Sequence, residues 1–159
     1  AESAALTTKS LPALRAYMEG EEYYRKTEYD SAVAHFTKAI ALDSTFALAY
    51  YRLSIVQVSR GRAVPAREPI QRAMQFSNRL SERDQKMVHS FALAFDGKWR
   101  ESIVEMQALL EQYPEDLEVM YTLGQMMSRY NDRHGKPVTE PMALLDKVLA
   151  SDAHFFCPI

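Results

Sequence analysis

The chain has 159 residues, 47% of them hydrophobic and 25% charged, the balance of one soluble globular domain long enough to bury a core. A formal net charge of −2 leaves no basic footprint, so neither nucleic acid nor an anionic membrane is expected as principal partner. The single cysteine, Cys157, excludes an internal disulfide framework and any multi-Cys zinc site.

No apolar run approaches the roughly 18 residues of a spanning helix, so no membrane insertion is expected. Ala1 to Ser10 has neither a basic start nor an apolar centre and does not read as a targeting segment. The missing initial Met suggests a piece of something larger. Runs of β-branched residues are few, and Asp96-Gly97 sits between two segments of helical period, so the chain reads as all-α.

In chain order, Ala1 to Lys9 is small and polar and reads as a linker. Ser10 is placed to cap a helix, and Pro12 suits its first turn. Leu14, Tyr17, Met18 and Glu21 follow at helical spacing to about Arg25. After a turn at Lys26-Thr27-Glu28, the residues Tyr29, Val33, Phe36 and Ile40 mark a second helix ending near Leu42-Asp43. Gly20 and Ala32 lie 12 residues apart, so small side chains meet across the hairpin while Tyr23 and Phe36 fill the flanks.

About 34 residues on, the pattern returns. Leu53-Ser54 stands where the first hairpin has its Gly, Gly61 falls in the turn, and Ala66-x3-Ile70 answers Ala32-x3-Phe36. Pro69 removes an interior hydrogen bond, so this helix is expected to start late or to kink. In the third unit Ser81 opens a capping-box variant with Asp84, and Trp99, Ile103, Met106 and Leu110 precede Tyr113-Pro114. Its register implies a small insertion around Asn78 to Glu82 and puts His89 where Leu is usual. The fourth unit carries Leu123-Gly124. Gly124 to Pro141 spans 17 residues, so the turn from Asn131 to Val138 holds five extra; Thr139 is expected to cap and Pro141 to sit in the first turn.

This recurrence resembles the tetratricopeptide repeat, whose small residue and aromatic on one helix meet Ala-x3-Phe on the next, with a Pro after the second helix. Gly20, Tyr23, Ala32, Phe36, Leu123-Gly124 and Pro114 carry the likeness. It implies an α-solenoid of about four helix-turn-helix hairpins forming a right-handed superhelix, with residues 10–159 as one repeat domain. The repeats are expected at about 13–46, 47–82, 83–116 and 117–155. More narrowly, Ser10 to Tyr17 and Asp43 to Leu53 resemble repeat regions of large bacterial signalling proteins that carry serine/threonine kinase, nucleotide cyclase or transcription-regulator domains. No kinase motif occurs in this chain.

The resemblance implies a scaffold that binds protein or peptide in a concave groove lined by the first helix of each repeat. By position, that lining is Tyr17, Glu21, Tyr24, Tyr51, Arg52, Ile55, Met87, Phe91, Tyr121 and Gln125. Chaperone-binding members use Lys, Asn and Arg there to clamp a terminal carboxylate. Tyr17 and Glu21 stand in place of the first Lys and Asn, which argues against such tails and for an apolar or amphipathic segment. Packing of the same rings between helices is the alternative for each aromatic. At the level of the chain, the alternative is an oligomerisation or structural segment whose groove is filled by its parent or by a second copy, a homodimer. A cytoplasmic location is favoured, or an extracytoplasmic one if the parent is a membrane-anchored kinase.

Catalytic chemistry is not expected. His35, His89, His134 and His154 show no ligand spacing, and no residue set suggests a metal or cofactor. The acidic groups Glu19-Glu21-Glu22, Glu101-Glu105 and Glu115-Asp116-Glu118 read as solvated helix faces or first-turn charges.

Overall fold

The computed structural model describes residues 7–151. Among these the regular structure is helical: α1 (Leu11–Arg25), α2 (Tyr29–Leu42), α3 (Ala47–Ser59), α4 (Ala63–Gln75), a 3-10 turn (Ser77–Arg79), α5 (Glu82–Phe95), α6 (Trp99–Gln112), α7 (Leu117–Arg133) and α8 (Thr139–Ser151). The expected all-α hairpin architecture is what forms. Cys157, His154 and the expected end of the fourth repeat at Phe155 lie outside the described residues.

Local chemistry sets the helix starts. Ala13 N donates to Ser10 Oγ at 3.3 Å, with Pro12 in the first turn. In α5, Asp84 N donates to Ser81 Oγ at 3.1 Å, satisfying a donor the helix itself leaves orphaned. Two expectations are corrected. The first bond of α8 runs from Met142 N to Val138 O, so Val138 and not Thr139 holds the cap position. The late start of α4 does not occur either: the helix begins at Ala63 and carries Pro69 inside it, buried. The donor Pro69 lacks would have met the carbonyl of Pro65, which is exposed and open to water.

Each hairpin closes at the same crossing. A Cβ at Gly20 would stand 2.8 Å from Phe36 Cδ1, so the fully buried Phe36 ring lies directly on the α1 backbone. In the second hairpin Ser54 Oγ donates to Ala66 O at 2.9 Å. The third is closed reciprocally, Ser90 Oγ donating to Ser102 O at 2.9 Å and Ser102 Oγ to Ser90 O at 2.8 Å. In the fourth, a Cβ at Gly124 would lie 2.9 Å from Leu145 Cδ2. Buried hydroxyls are satisfied across the crossing, while glycine appears where a branched or aromatic side chain takes the space.

The turn after each first helix also repeats. Thr27, Gly61, Gly97 and Gly135 all adopt positive φ, at 59°, 73°, 80° and 61°. Three glycines take this left-handed conformation freely, and Thr27 takes it with a β-branched side chain.

By internal packing the chain divides into two units, Ala1–Val88 and His89–Ile159, the division falling inside α5. The first unit is built on aromatic rings: Tyr17 packs on Phe36 and Phe46 at centroid distances of 5.6 and 5.1 Å. Its expected linker is tied down at its end, where Thr7 and Thr8 are buried and Thr8 Oγ1 donates to Asp43 Oδ2 at 2.6 Å. The second unit buries Met106, Leu109, Val119, Leu123, Met126 and Met127.

Candidate functional site

In the first unit, Tyr17 and Tyr24 lie seven residues apart on α1, with Glu21 between them on the same face. Tyr51, Arg52 and Ile55 supply the neighbouring face of α3. Arg52 Nε forms an ion pair with Glu21 Oε1 at 2.9 Å and donates to the Tyr17 hydroxyl at 3.4 Å. One turn on, the Tyr24 hydroxyl and Ser59 Oγ are 3.4 Å apart. Arg60 and Asp30 pair beside them. These contacts join residues 30 or 35 apart, the spacing of one repeat to the next.

Burial separates the ten expected residues. Tyr17 (6% exposed), Tyr24 (7%), Tyr51 (3%) and Met87 (1%) are packed inside and present little free surface. Glu21, Arg52 and Ile55 are half-buried at the surface of the first unit, and Phe91, Tyr121 and Gln125 at that of the second. Phe91 meets Phe95 edge-on at 5.5 Å, and Gln125 Nε2 donates to the Tyr121 hydroxyl at 3.2 Å. The rings of the first unit therefore form the wall, and the mixed charged and apolar side chains form the surface.

His35 and His89 are held within the chain's own contacts. His35 Nδ1 lies 2.9 Å from Glu19 Oε2, with its ring 5.0 Å from that of Tyr23. His89 is exposed and meets Glu105 at 2.9 Å. Among the described residues no group of three His, Cys, Asp or Glu is placed to hold a metal ion, and no helix is long and apolar enough to cross a membrane.

The TPR repeat family matches residues 20–61, the stretch that contains the Phe36 crossing, the α2–α3 junction and the Gly61 turn. Residues 20–61 are thus a tetratricopeptide repeat by sequence. Among solved structures, YrrB, described as a TPR protein with an unusual peptide-binding site, is similar at 19% identity over 89% of this chain and 69% of that one, with a TM-score of 0.52. The first TPR of Spaghetti (RPAP3) bound to an HSP90 peptide is similar at 19% identity over 79% and 98%, with a TM-score of 0.55. MamA from Desulfovibrio magneticus RS-1 is similar at 20% identity over 91% and 78%, with a TM-score of 0.50. At these identities the likeness is one of fold. No curated protein matches the sequence.

One further feature lies away from the ten expected residues. The lengthened turn of the fourth repeat forms a cleft of about 490 Å³ with α6 and α7, lined by Arg100, Ile103, Val104, Met127, Tyr130 and Lys136 among others. The only advance signal of it is the 17-residue spacing from Gly124 to Pro141.

Proposed function

We propose that this chain is a protein-interaction scaffold that binds an apolar or amphipathic peptide segment on the first-helix faces of its repeats. The Arg52–Glu21 contact at 2.9 Å carries the reading. Carboxylate-tail recognition needs an uncompensated cation on this face, and Arg52 already faces a carboxylate of its own chain. What the surface offers instead is Ile55 and the edges of a tyrosine wall, with the Arg52–Glu21 pair for orientation. That combination suits a segment burying one apolar stripe. Two structures of the same fold, one described as having a peptide-binding site and one bound to a peptide, support a peptide as the class of ligand. The likeness of Ser10 to Tyr17 and of Asp43 to Leu53 to repeat regions of bacterial signalling proteins supports a larger signalling protein as the setting.

Titration calorimetry with an amphipathic helical peptide tests this. Ile55→Glu is expected to weaken binding by about 1–3 kcal/mol with helicity retained. Equal affinity in that variant would move the site off the α1 and α3 faces. A wild-type chain that is dimeric by light scattering and binds no peptide would favour self-association instead.

A further inference from the structure

We propose that the cleft at the lengthened turn of the fourth repeat is a second, separate docking site, for an internal protein segment in which acidic residues alternate with apolar ones. Its walls follow from helical spacing. Arg100, Ile103 and Val104 share one face of α6, and Met127, Tyr130 and Asn131 share one face of α7. The extra residues of the turn add Lys136 and Pro137 to the lining.

The site is braced. Lys136 N donates to Asn131 O at 2.9 Å, and Asn131 Nδ2 donates to Pro137 O at 2.7 Å, so the turn is fixed at both ends. Lys136 Nζ lies 5.1 Å from the centre of the Tyr130 ring, and Arg100 Nε donates to the Tyr130 hydroxyl at 2.7 Å. That donation holds the Tyr130 phenol below its ordinary range. Two cations are thus poised around one ring, with a floor of Ile103 and Met127.

Charge complementarity names the occupant. Among the described residues neither Arg100 nor Lys136 pairs with a carboxylate, whereas Arg52, Arg60, Arg72 and Lys86 all do. Glu140 is the single acid in the lining, so the cleft carries a net positive charge. Val104 is 64% exposed one turn beyond Arg100, and Val138 is 42% exposed beside the turn. An acidic side chain on Arg100 and Lys136, with its apolar neighbour on Ile103, Val104 and Pro137, satisfies both features at once. Two cations beside an acid and an apolar floor favour protein over a nucleic-acid strand, which needs a longer basic track.

The test uses the full chain labelled with nitrogen-15 and an end-blocked peptide alternating Leu and Glu. Amide shifts are expected at residues 99–104, 127–131 and 136–140, and the peptide with Gln for Glu is expected to bind at least about tenfold more weakly. Arg100→Glu with Lys136→Glu is expected to weaken the Leu-Glu peptide by about tenfold or more, and both positions are exposed, so the helical spectrum should be unchanged. Undiminished affinity in that variant overturns the proposal, as does the absence of binding. Shifts confined to α1 and α3 overturn it in favour of the first-helix faces alone. Tighter binding of oligothymidylate at the same residues overturns it in favour of nucleic acid. The proposal does not depend on the α1 and α3 reading, because the Ile55→Glu variant leaves every cleft residue in place.

Discussion

The two units of the chain each close one hairpin on a glycine and the other on buried hydroxyls, and they differ in what covers the glycine. In the first, Gly20 yields its side-chain space to a buried phenylalanine, and the core around that point is aromatic: Tyr17, Phe36 and Phe46. In the second, the third hairpin is pinned by two serines exchanging hydrogen bonds, and the fourth sets a leucine over Gly124. What the fold requires is close backbone approach at one place in each hairpin. A ring on a glycine and a hydroxyl pair both supply it, the first by shape and the second by satisfying buried polar groups.

The two glycines should respond differently to the same change. At Gly20 an added methyl meets Phe36 ring atoms at 2.8 Å, and a fully buried ring has nowhere to go. Gly20→Ala should destabilise the chain by about 2 kcal/mol, the overpacking cost exceeding the helix-propensity gain of about 1 kcal/mol. At Gly124 the closest atoms are Cδ2 and Cγ of a half-buried Leu145, which can shift aside, while the Pro141 carbonyl at 3.3 Å needs to give only a few tenths of an ångström. Gly124→Ala should fall within about 1 kcal/mol of neutral. Thermal melts of both variants decide it, and equal losses would remove the distinction between the two glycine crossings.

A smaller effect sits in the turns. Thr27 is the one non-glycine among the described residues with positive φ, and its counterparts at the same repeat position are Gly61 and Gly97. Thr27→Gly should stabilise by about 1 kcal/mol through relief of left-handed strain, seen as a raised denaturation midpoint. A lowered midpoint would mean that Thr27 contributes more through its side chain than it costs in its backbone.

The smallest expected effect is a pH dependence confined to the first unit. Burial pushes the Asp43 carboxyl up, but donors from Thr8 and Thr45 outweigh it and hold the carboxyl below its ordinary value. A folded-state value below the unfolded one means stability that is full above the ordinary carboxylate range and lost as pH falls through the folded value. The corresponding position, after α6, is Tyr113, which carries no carboxyl. Asp43→Asn should therefore flatten part of the acid limb of a stability profile, and an unaltered limb would assign that limb to other carboxylates.

Much of this was legible in the residues. The 12-residue spacing of Gly20 and Ala32, its echo at Ser54 and Ala66, and the small insertion before the third repeat follow from helical period and the bulk that close packing admits. The burial of Tyr17, Tyr24 and Tyr51 was not legible, because periodicity gives the face a side chain occupies but not whether a neighbouring helix covers it. Arg52 reaching back to Glu21 and Tyr17 is such a case. Thr27 hid its left-handed turn because threonine gives no sign of that conformation. The cleft was hidden for a third reason: Arg100 lies 30 residues before Tyr130 in sequence, and only the fold brings it beside Tyr130 and Lys136.

The closure of the first hairpin by Phe36 over Gly20 is tested most directly by a double-mutant cycle on those two residues. Phe36→Leu frees the space that Gly20→Ala fills, so the double variant should be more stable than the sum of the single losses by about 1–2 kcal/mol. Additive losses would show that the Gly20 backbone and the Phe36 ring do not constrain each other, and would contradict the crossing on which the repeat depends.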